Sequence, residues 1–380
     1  MKSNVFNNRI GAPYSFDYPT LNKKQELEII SGLFEQLLIF DQVTITTNRV
    51  NFALAFLINK LGVNTVEKLF RNGYIKIMLW TPLIFTSSGH RTDNEQIDHA
   101  SIYGKPPIAA GTFSSQDLDP EKNIDYALRN FGLHRERKRL FTKIAAKNYI
   151  IPNGMEFSSG SAELVISAYK KNDLASLGLP FENEPEQMHL DERRLLLSLG
   201  NKVIETAVLS KYNLKSYENY EHFAICKQHL DNIGKAYNVA NNTAELFNLE
   251  DLPNLKELYI SQRLDFDRVF KIRHLSNAKY YRKWINTVGE NSNAKEITKE
   301  YLNEIKGNSK FFEQTEGKLI KHLSLLAANS AIGTLIAGPI GTVSGLGLGF
   351  FEALWLDNIL KGKNPSMFID YIKKEIDTDE

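Results

Sequence analysis

The residues most able to do chemistry are scattered along the chain. His90 and His99 share one stretch with Asp93, Glu95 and Asp98. Imidazole beside carboxylate is the usual equipment for proton transfer or for holding a divalent metal. Asp41, Asp117 and Asp119 are further carboxylates that folding could bring to the same place. His222, Cys226 and His229 stand at helical spacing and offer three ligand types on one side of a helix. The same helix carries Phe223, Cys226, Leu230, Ile233 and Tyr237 as an apolar stripe, which makes Cys226 a core residue and leaves no metal expected. Several signatures are missing from the text. There is no Gly-x(4)-Gly-Lys-Ser/Thr phosphate loop, no Gly-x-Ser-x-Gly elbow and no His-Glu-x-x-His pair. Gly345-x-Gly347-x-Gly349 lies in apolar text and not after a strand, so it is no dinucleotide fingerprint, and no cofactor is expected.

A second constellation is Arg268 with His274, six positions on, and Lys271 and Arg273 between them. Arg-x(4–6)-His resembles the active-site pattern of the HEPN ribonucleases, a helical family. The resemblance covers seven residues and departs from the family at Val269, where a polar residue normally follows the arginine. It implies Arg268 and His274 as catalytic residues of a helical ribonuclease. The surrounding stretch is basic and aromatic. Arg263, Lys271, Arg273, Arg282 and Lys283 interleave with Phe266, Phe270, Tyr280, Tyr281 and Trp284. Such text suits phosphate contact and base stacking, and it equally suits an amphipathic helix with aromatics inside and cations in water. A second basic patch runs from His134 to Arg139, with Arg129 nearby.

The third feature is physical rather than chemical. Leu323 to Phe351 is a run of 29 residues without a charge. It contains Gly333, Gly338, Gly341, Gly345 and Gly349, with Pro339 as a break. About 20 apolar residues suffice to cross a bilayer, and Gly341 with Gly345 has the small-xxx-small spacing that lets helices approach closely. Two helical arms are expected, Leu319 to Ala337 and Gly341 to Leu356. Ser324, Asn329, Ser330, Thr334, Thr342 and Ser344 dilute the hydrophobicity, which ranks packing within protein ahead of membrane insertion. Trp355 to Leu360 and an amphipathic stretch with Phe368, Ile369 and Ile372 follow, so the segment is not a tail anchor.

The elements that position these groups are legible from period and punctuation. Leu27, Ile30, Phe34, Leu37 and Leu38 predict a helix from Lys24 to Ile39. Val43 to Thr47 reads as a strand. Asn48 is placed to cap a helix ending at Gly62, and Asn64 with Glu67 opens another that stops at Gly73. Tyr74 to Trp80 is a second strand, so a parallel crossover is expected. Thr81 to Pro120 reads as a long turn-rich loop. Asp119-Pro120-Glu121 announces a helix, which runs to about Phe131, and His134 to Asn148 continues helically. Beyond a boundary at 180–186, helices are expected at 186–212, 217–237, 241–247, 255–286 and 293–306.

Composition sets the frame. The 380 residues carry 46 Lys+Arg against 45 Asp+Glu, so nothing global pulls the chain toward nucleic acid or acidic lipid. One cysteine excludes an internal disulfide framework. The N-terminus shows no signal-peptide run, and a cytoplasmic location is expected, with membrane association as the alternative. The fold expectation is mainly α: multi-helical, with a small N-terminal α/β element and a C-terminal glycine-rich helical hairpin. Three units are expected: an α/β-containing one over 1–180 with the loop 81–120, a helical one over 186–307, and the hairpin with its terminal helix over 308–380. Phe40 to Ile45, Leu61-Gly62, Gly73 to Ile75 and Trp355 to Leu360 resemble uncharacterised bacterial proteins from mobile and defence-gene neighbourhoods. The functional expectation is a non-enzymatic effector or assembly protein, anti-phage or toxin-like, with a protein partner or second copy ahead of membrane and nucleic acid. The competing expectation is a helical ribonuclease or metal-dependent hydrolase.

Overall fold

A computed structural model describes residues 3–11, 21–86, 90–91, 97–175, 179, 181–218, 244–252, 255–260, 266–275, 278–279, 282 and 321–328. The first 80 residues build two βαβ crossovers. β1 (Asn4–Asn7) leads through α1 (Lys23–Ile39) to β2 (Gln42–Thr47), and α2 (Phe52–Arg71) leads to β3 (Ile75–Leu79). The pairings are parallel, with Val5 opposite Val43 and Ile45 opposite Ile77. Every residue of β2 is buried, as a central strand covered on both faces requires.

Period-two alternation divides the core. Val5, Val43, Ile45, Ile75 and Ile77 face one layer, and Phe6, Met78 and Trp80 face the other. The first layer holds α1, α2 and the pair α3 (Pro120–Leu128) and α4 (Arg135–Ala146), all of which contribute to one apolar cluster. α7 (Leu255–Ile260) and α8 (Phe266–His274) lie against α1, where the Phe34 ring meets Tyr259 and Phe266 at 5.0 and 5.7 Å. The second layer is α5 (Gly154–Lys170) and α6 (Leu190–Lys211), packed on each other.

The stretch expected as a loop over 81–120 carries regular structure. β4 (Pro82–Phe85) pairs antiparallel with β7 (Ala109–Thr112), and β5 (His90–Arg91) pairs with β6 (Ile97–Asp98). Ile84 and Ile108 are buried in the α5–α6 cluster, so this insertion is anchored on the second layer of the core. Arg193 ties it down by donating to the carbonyls of Pro106, Glu186 and Met188. The chain then returns through β8 (Tyr149–Ile150) beside β3 and β9 (Lys215–Glu218) beside β1, both parallel.

β10 (Ala244–Leu252) and β11 (Lys321–Ala328) extend the sheet antiparallel, giving the order β10-β11-β9-β1-β2-β3-β8. Three helical expectations are corrected here. The helix expected from Tyr217 begins inside β9, residues 244–247 of the helix expected at 241–247 belong to β10, and residues 321–328 of the expected first helical arm are β11. A short apolar run has no helical signature that a buried strand lacks, and the backbone partners offered by β9 decide the outcome. Gly333, Gly338, Gly341, Gly345 and Gly349 lie outside the described residues, as does the rest of the hairpin. Among the described residues helices outnumber strands, so the described fold is helix-rich with a parallel sheet at its centre. No helix among the described residues is long and apolar enough to cross a membrane.

Candidate functional site: a charged groove at the carboxyl edge of the sheet

Open parallel sheets receive ligands outside the carboxyl ends of their strands, because loops and helix starts converge there. At that edge β2 ends in Thr47 and runs into Asn48-Arg49-Val50-Asn51. Asn51 adopts the left-handed region (φ 50, ψ 48) and caps α2, its Oδ1 accepting from the Leu54 amide. The side chain of Asn51 also accepts from Thr47 Oγ1 at 3.2 Å, and its Nδ2 donates to Tyr149 Oη at 2.8 Å and to the Asn123 carbonyl at 3.2 Å. Tyr149 in turn donates to Asn123 Oδ1 at 3.0 Å. Asn123 Nδ2 closes the circuit by donating to the carbonyls of Asn48 and Arg49 at 3.1 and 2.9 Å.

This buried network fastens α3 to the turn after β2 and to β8. A polar circuit of this kind is stable only when each member is satisfied, and here each one is. Burial of its hydroxyl pushes the Tyr149 phenol above its ordinary 10.0, opposed by the hydrogen bond from Asn51. Tyr149 therefore stays a neutral donor throughout the physiological range.

The network also sets a surface. Arg49 is carried on the turn to the rim of a groove of about 860 Å³ between α3 and α4. Asp119 starts α3 by accepting from the amides of Glu121 and Lys122, with Pro120 at the first helical position. Ile124, Ala127 and Leu128 of α3 and Phe141 and Ala145 of α4 are buried together, which leaves the opposite faces of both helices on the groove. Seven cationic side chains line it: Arg49, Lys122, Arg129, Arg135, Lys138, Arg139 and Lys143. Four carboxylates join them: Asp117, Asp119, Glu121 and Asp125.

Their pairing is uneven. Asp125 is taken by Lys138 and, at 3.9 Å, by Arg129. Asp119 is committed to its helix cap, and Asp117 accepts from Ser114 Oγ at 3.0 Å. Lys122, Arg135, Arg139 and Lys143 are exposed, and none forms an ion pair among the described residues. The groove thus presents a surplus of unneutralised positive charge, concentrated on α4.

The residues singled out from the sequence fall elsewhere or in part here. Of the patch from His134 to Arg139, Arg135, Lys138 and Arg139 line the groove together with Arg129. Arg137 turns instead to Glu67 and Asn64 on α2. His90 is paired across the β5–β6 ladder with Asp98, and His99 follows directly. Asp41 sits at the other end of β2 from Arg49 and accepts from the amide and hydroxyl of Ser3, so it is not gathered with Asp117 and Asp119.

Arg268, Lys271, Arg273 and His274 all belong to α8. His274 is exposed, 3.4 Å from Tyr74 Oη. Arg273 is buried; its guanidinium donates to the carbonyls of Leu37, Phe40 and Asp41 at the C-terminus of α1, and lies 3.9 Å over the Tyr74 ring. Arg282 is also buried and meets Asp41 at 3.2 Å. These two arginines hold the C-terminal end of α1, which exposes carbonyls that favour a cation. Desolvation lowers the pKa of both. Arg263, Lys283, His222, Cys226 and His229 lie outside the described residues. No group of three potential metal ligands occurs among the described residues.

Asn51, Asn123 and Tyr149 were not flagged by the sequence. The trace they leave is a polar run at the end of an apolar strand, Thr46-Thr47-Asn48, with a second asparagine at Asn51. No protein-family model, curated protein or solved structure matches the chain.

Proposed function

We propose that the chain is a non-enzymatic bacterial effector or assembly protein of defence or toxin-like biology. In this reading the α/β body receives an anionic partner in the α3–α4 groove. The glycine-rich segment from 329 to 351, beyond β11, acts as the module that packs in an assembly or inserts in a membrane. The observation that carries the reading is the uncompensated charge of Lys122, Arg135, Arg139 and Lys143 at the carboxyl edge of a parallel sheet. Buried scaffolding at Asn51, Asn123 and Tyr149 holds that surface in place, as a recognition surface requires.

The test is retention on an immobilised polyanion. Wild-type protein is expected to need more salt for elution than the variant carrying Arg135→Glu, Arg139→Glu and Lys143→Glu. A wild-type protein that passes through unretained refutes the groove as a receiving surface. For the second module, Gly341→Leu with Gly345→Leu is expected to abolish the cellular phenotype. A phenotype indifferent to that change removes the glycine segment from the proposal.

A further inference from the structure

We infer that the α3–α4 groove binds single-stranded nucleic acid along α4, by phosphate contacts from its cations and base stacking on Tyr126. The inference rests on the groove being the receiving surface proposed above. Three observations select this ligand among polyanions.

The first is geometric. Arg135, Arg139 and Lys143 recur every four residues on one helix face. At 1.5 Å rise per residue, Arg135 and Lys143 stand about 12 Å apart along the axis. One phosphate cannot bridge that span, whereas successive phosphates of an extended strand can. Thr142 adds a hydroxyl between the last two cations.

The second is aromatic. Tyr126 lines the same groove and is 45% exposed, so its ring is open to a ligand. Arg129 stacks on it, with the guanidinium carbon 4.5 Å from the ring centroid. A stacking ring beside a cationic track is the common design of single-strand binding sites, since every base has a π face. An acidic peptide would use the cations and leave the ring idle.

The third is the choice of cation. Arginine forms 14 of the 46 basic residues of the chain, yet it supplies four of the seven in the groove, at Arg49, Arg129, Arg135 and Arg139. The planar guanidinium holds phosphate through two parallel hydrogen bonds and also stacks on bases. The acids Asp117 and Glu121 lie toward the start of α3, so the favourable track follows α4.

Fluorescence anisotropy with labelled 15-nucleotide oligo-dT and oligo-U tests the inference on full-length protein. Four phosphate contacts predict a slope of about −3 for log K against log salt, or roughly a 50-fold loss between 50 and 200 mM. The variant with Arg135→Gln, Arg139→Gln and Lys143→Gln should bind at least tenfold more weakly, with the slope reduced to about −1. Tyr126→Ala should cost about fivefold or more, and Tyr126→Phe should restore binding. Lys170→Gln, on the other face of the sheet, should change neither. These positions are exposed, so the variants should stay folded, with circular dichroism as the check. Oligonucleotide binding that survives the triple variant overturns the inference. So does stronger binding of polyglutamate, or displacement by ATP at equal nucleotide concentration; both leave the groove as an anion site. Binding of none of these probes defeats the groove reading as well.

Discussion

Replacing Asn123 with alanine tests whether the polar circuit at the carboxyl edge holds α3 in place. The amide is 3% exposed and makes three hydrogen bonds: two donated, to the carbonyls of Asn48 and Arg49, and one accepted from Tyr149. At about 1 kcal/mol net for each, the direct loss is about 3 kcal/mol. The Tyr149 hydroxyl loses its acceptor, which pushes the cost up, while the Asn48 carbonyl keeps the Asn51 amide as a donor. Alanine is the better helix former by about half a kcal/mol, which pulls it down. A net loss of about 3 kcal/mol follows, equivalent to a fall of roughly 6–12 °C in Tm for a body of this size. Urea denaturation followed by far-UV circular dichroism measures it. Asn123→Asp should be harsher at neutral pH, since it removes the donors and places a charge against two carbonyls. A loss below 0.5 kcal/mol for alanine, or an aspartate milder than alanine, would refute the argument that this network fastens α3.

Four further outcomes are expected. Gly154→Ala should cost about 1–3 kcal/mol, because a Cβ there would lie 2.6 Å from the Thr81 carbonyl oxygen at the start of α5; an unchanged midpoint in urea would show that the two backbones can part freely. The raised pKa of Tyr149 means that its contribution to stability is fully present below pH 10.0 and is lost as pH rises above that value, where the unfolded phenol ionises and the folded one does not. Tyr149→Phe should accordingly flatten the alkaline limb of the stability curve, and an identical limb in wild type and variant would contradict the burial of that hydroxyl. Arg273→Ala should cost about 3–5 kcal/mol by freeing the carbonyls of Leu37, Phe40 and Asp41; weakened oligonucleotide binding with intact stability would instead make it a contact residue. His274→Ala is expected to shift stability by less than about 0.5 kcal/mol, as the side chain is exposed; loss of the cellular phenotype in that folded variant, with the same for Arg268→Ala, would favour the helical ribonuclease.

The elements of the first 80 residues were legible because each carries its own punctuation. The Val43 to Thr47 alternation, the apolar spacing from Leu27 to Leu38 and the glycine stop at Gly73 all act locally. Gly62 divides α2 as expected, with φ 77 and ψ 155, a conformation only glycine adopts readily. The cap of that helix is Asn51 and not Asn48, whose side-chain oxygen accepts from the Val50 amide one turn too early. Asp119 capped its helix as read from Asp-Pro-Glu. What stayed hidden depends on distant partners. β8 has only two residues, and β9 and β11 gain their strand character from neighbours far along the chain. The groove was half visible as the His134 to Arg139 patch. Nothing local revealed that Asp125 would neutralise Lys138 while Arg135 and Arg139 kept their charge.

The placement of β1 has a consequence for synthesis. One side of this four-residue strand is satisfied early, when β2 arrives some 40 positions later, but the other side waits for Lys215 and Ser216 of β9. At about 5–20 residues per second, the ribosome needs on the order of ten to thirty seconds to go from β2 to β9. Throughout that interval the nascent chain holds an open strand edge in the middle of its future sheet, ready to pair with any extended segment nearby. Expression of fragments ending before residue 215 should therefore yield aggregates, and slower elongation should raise the demand on chaperones that shield the newborn chain.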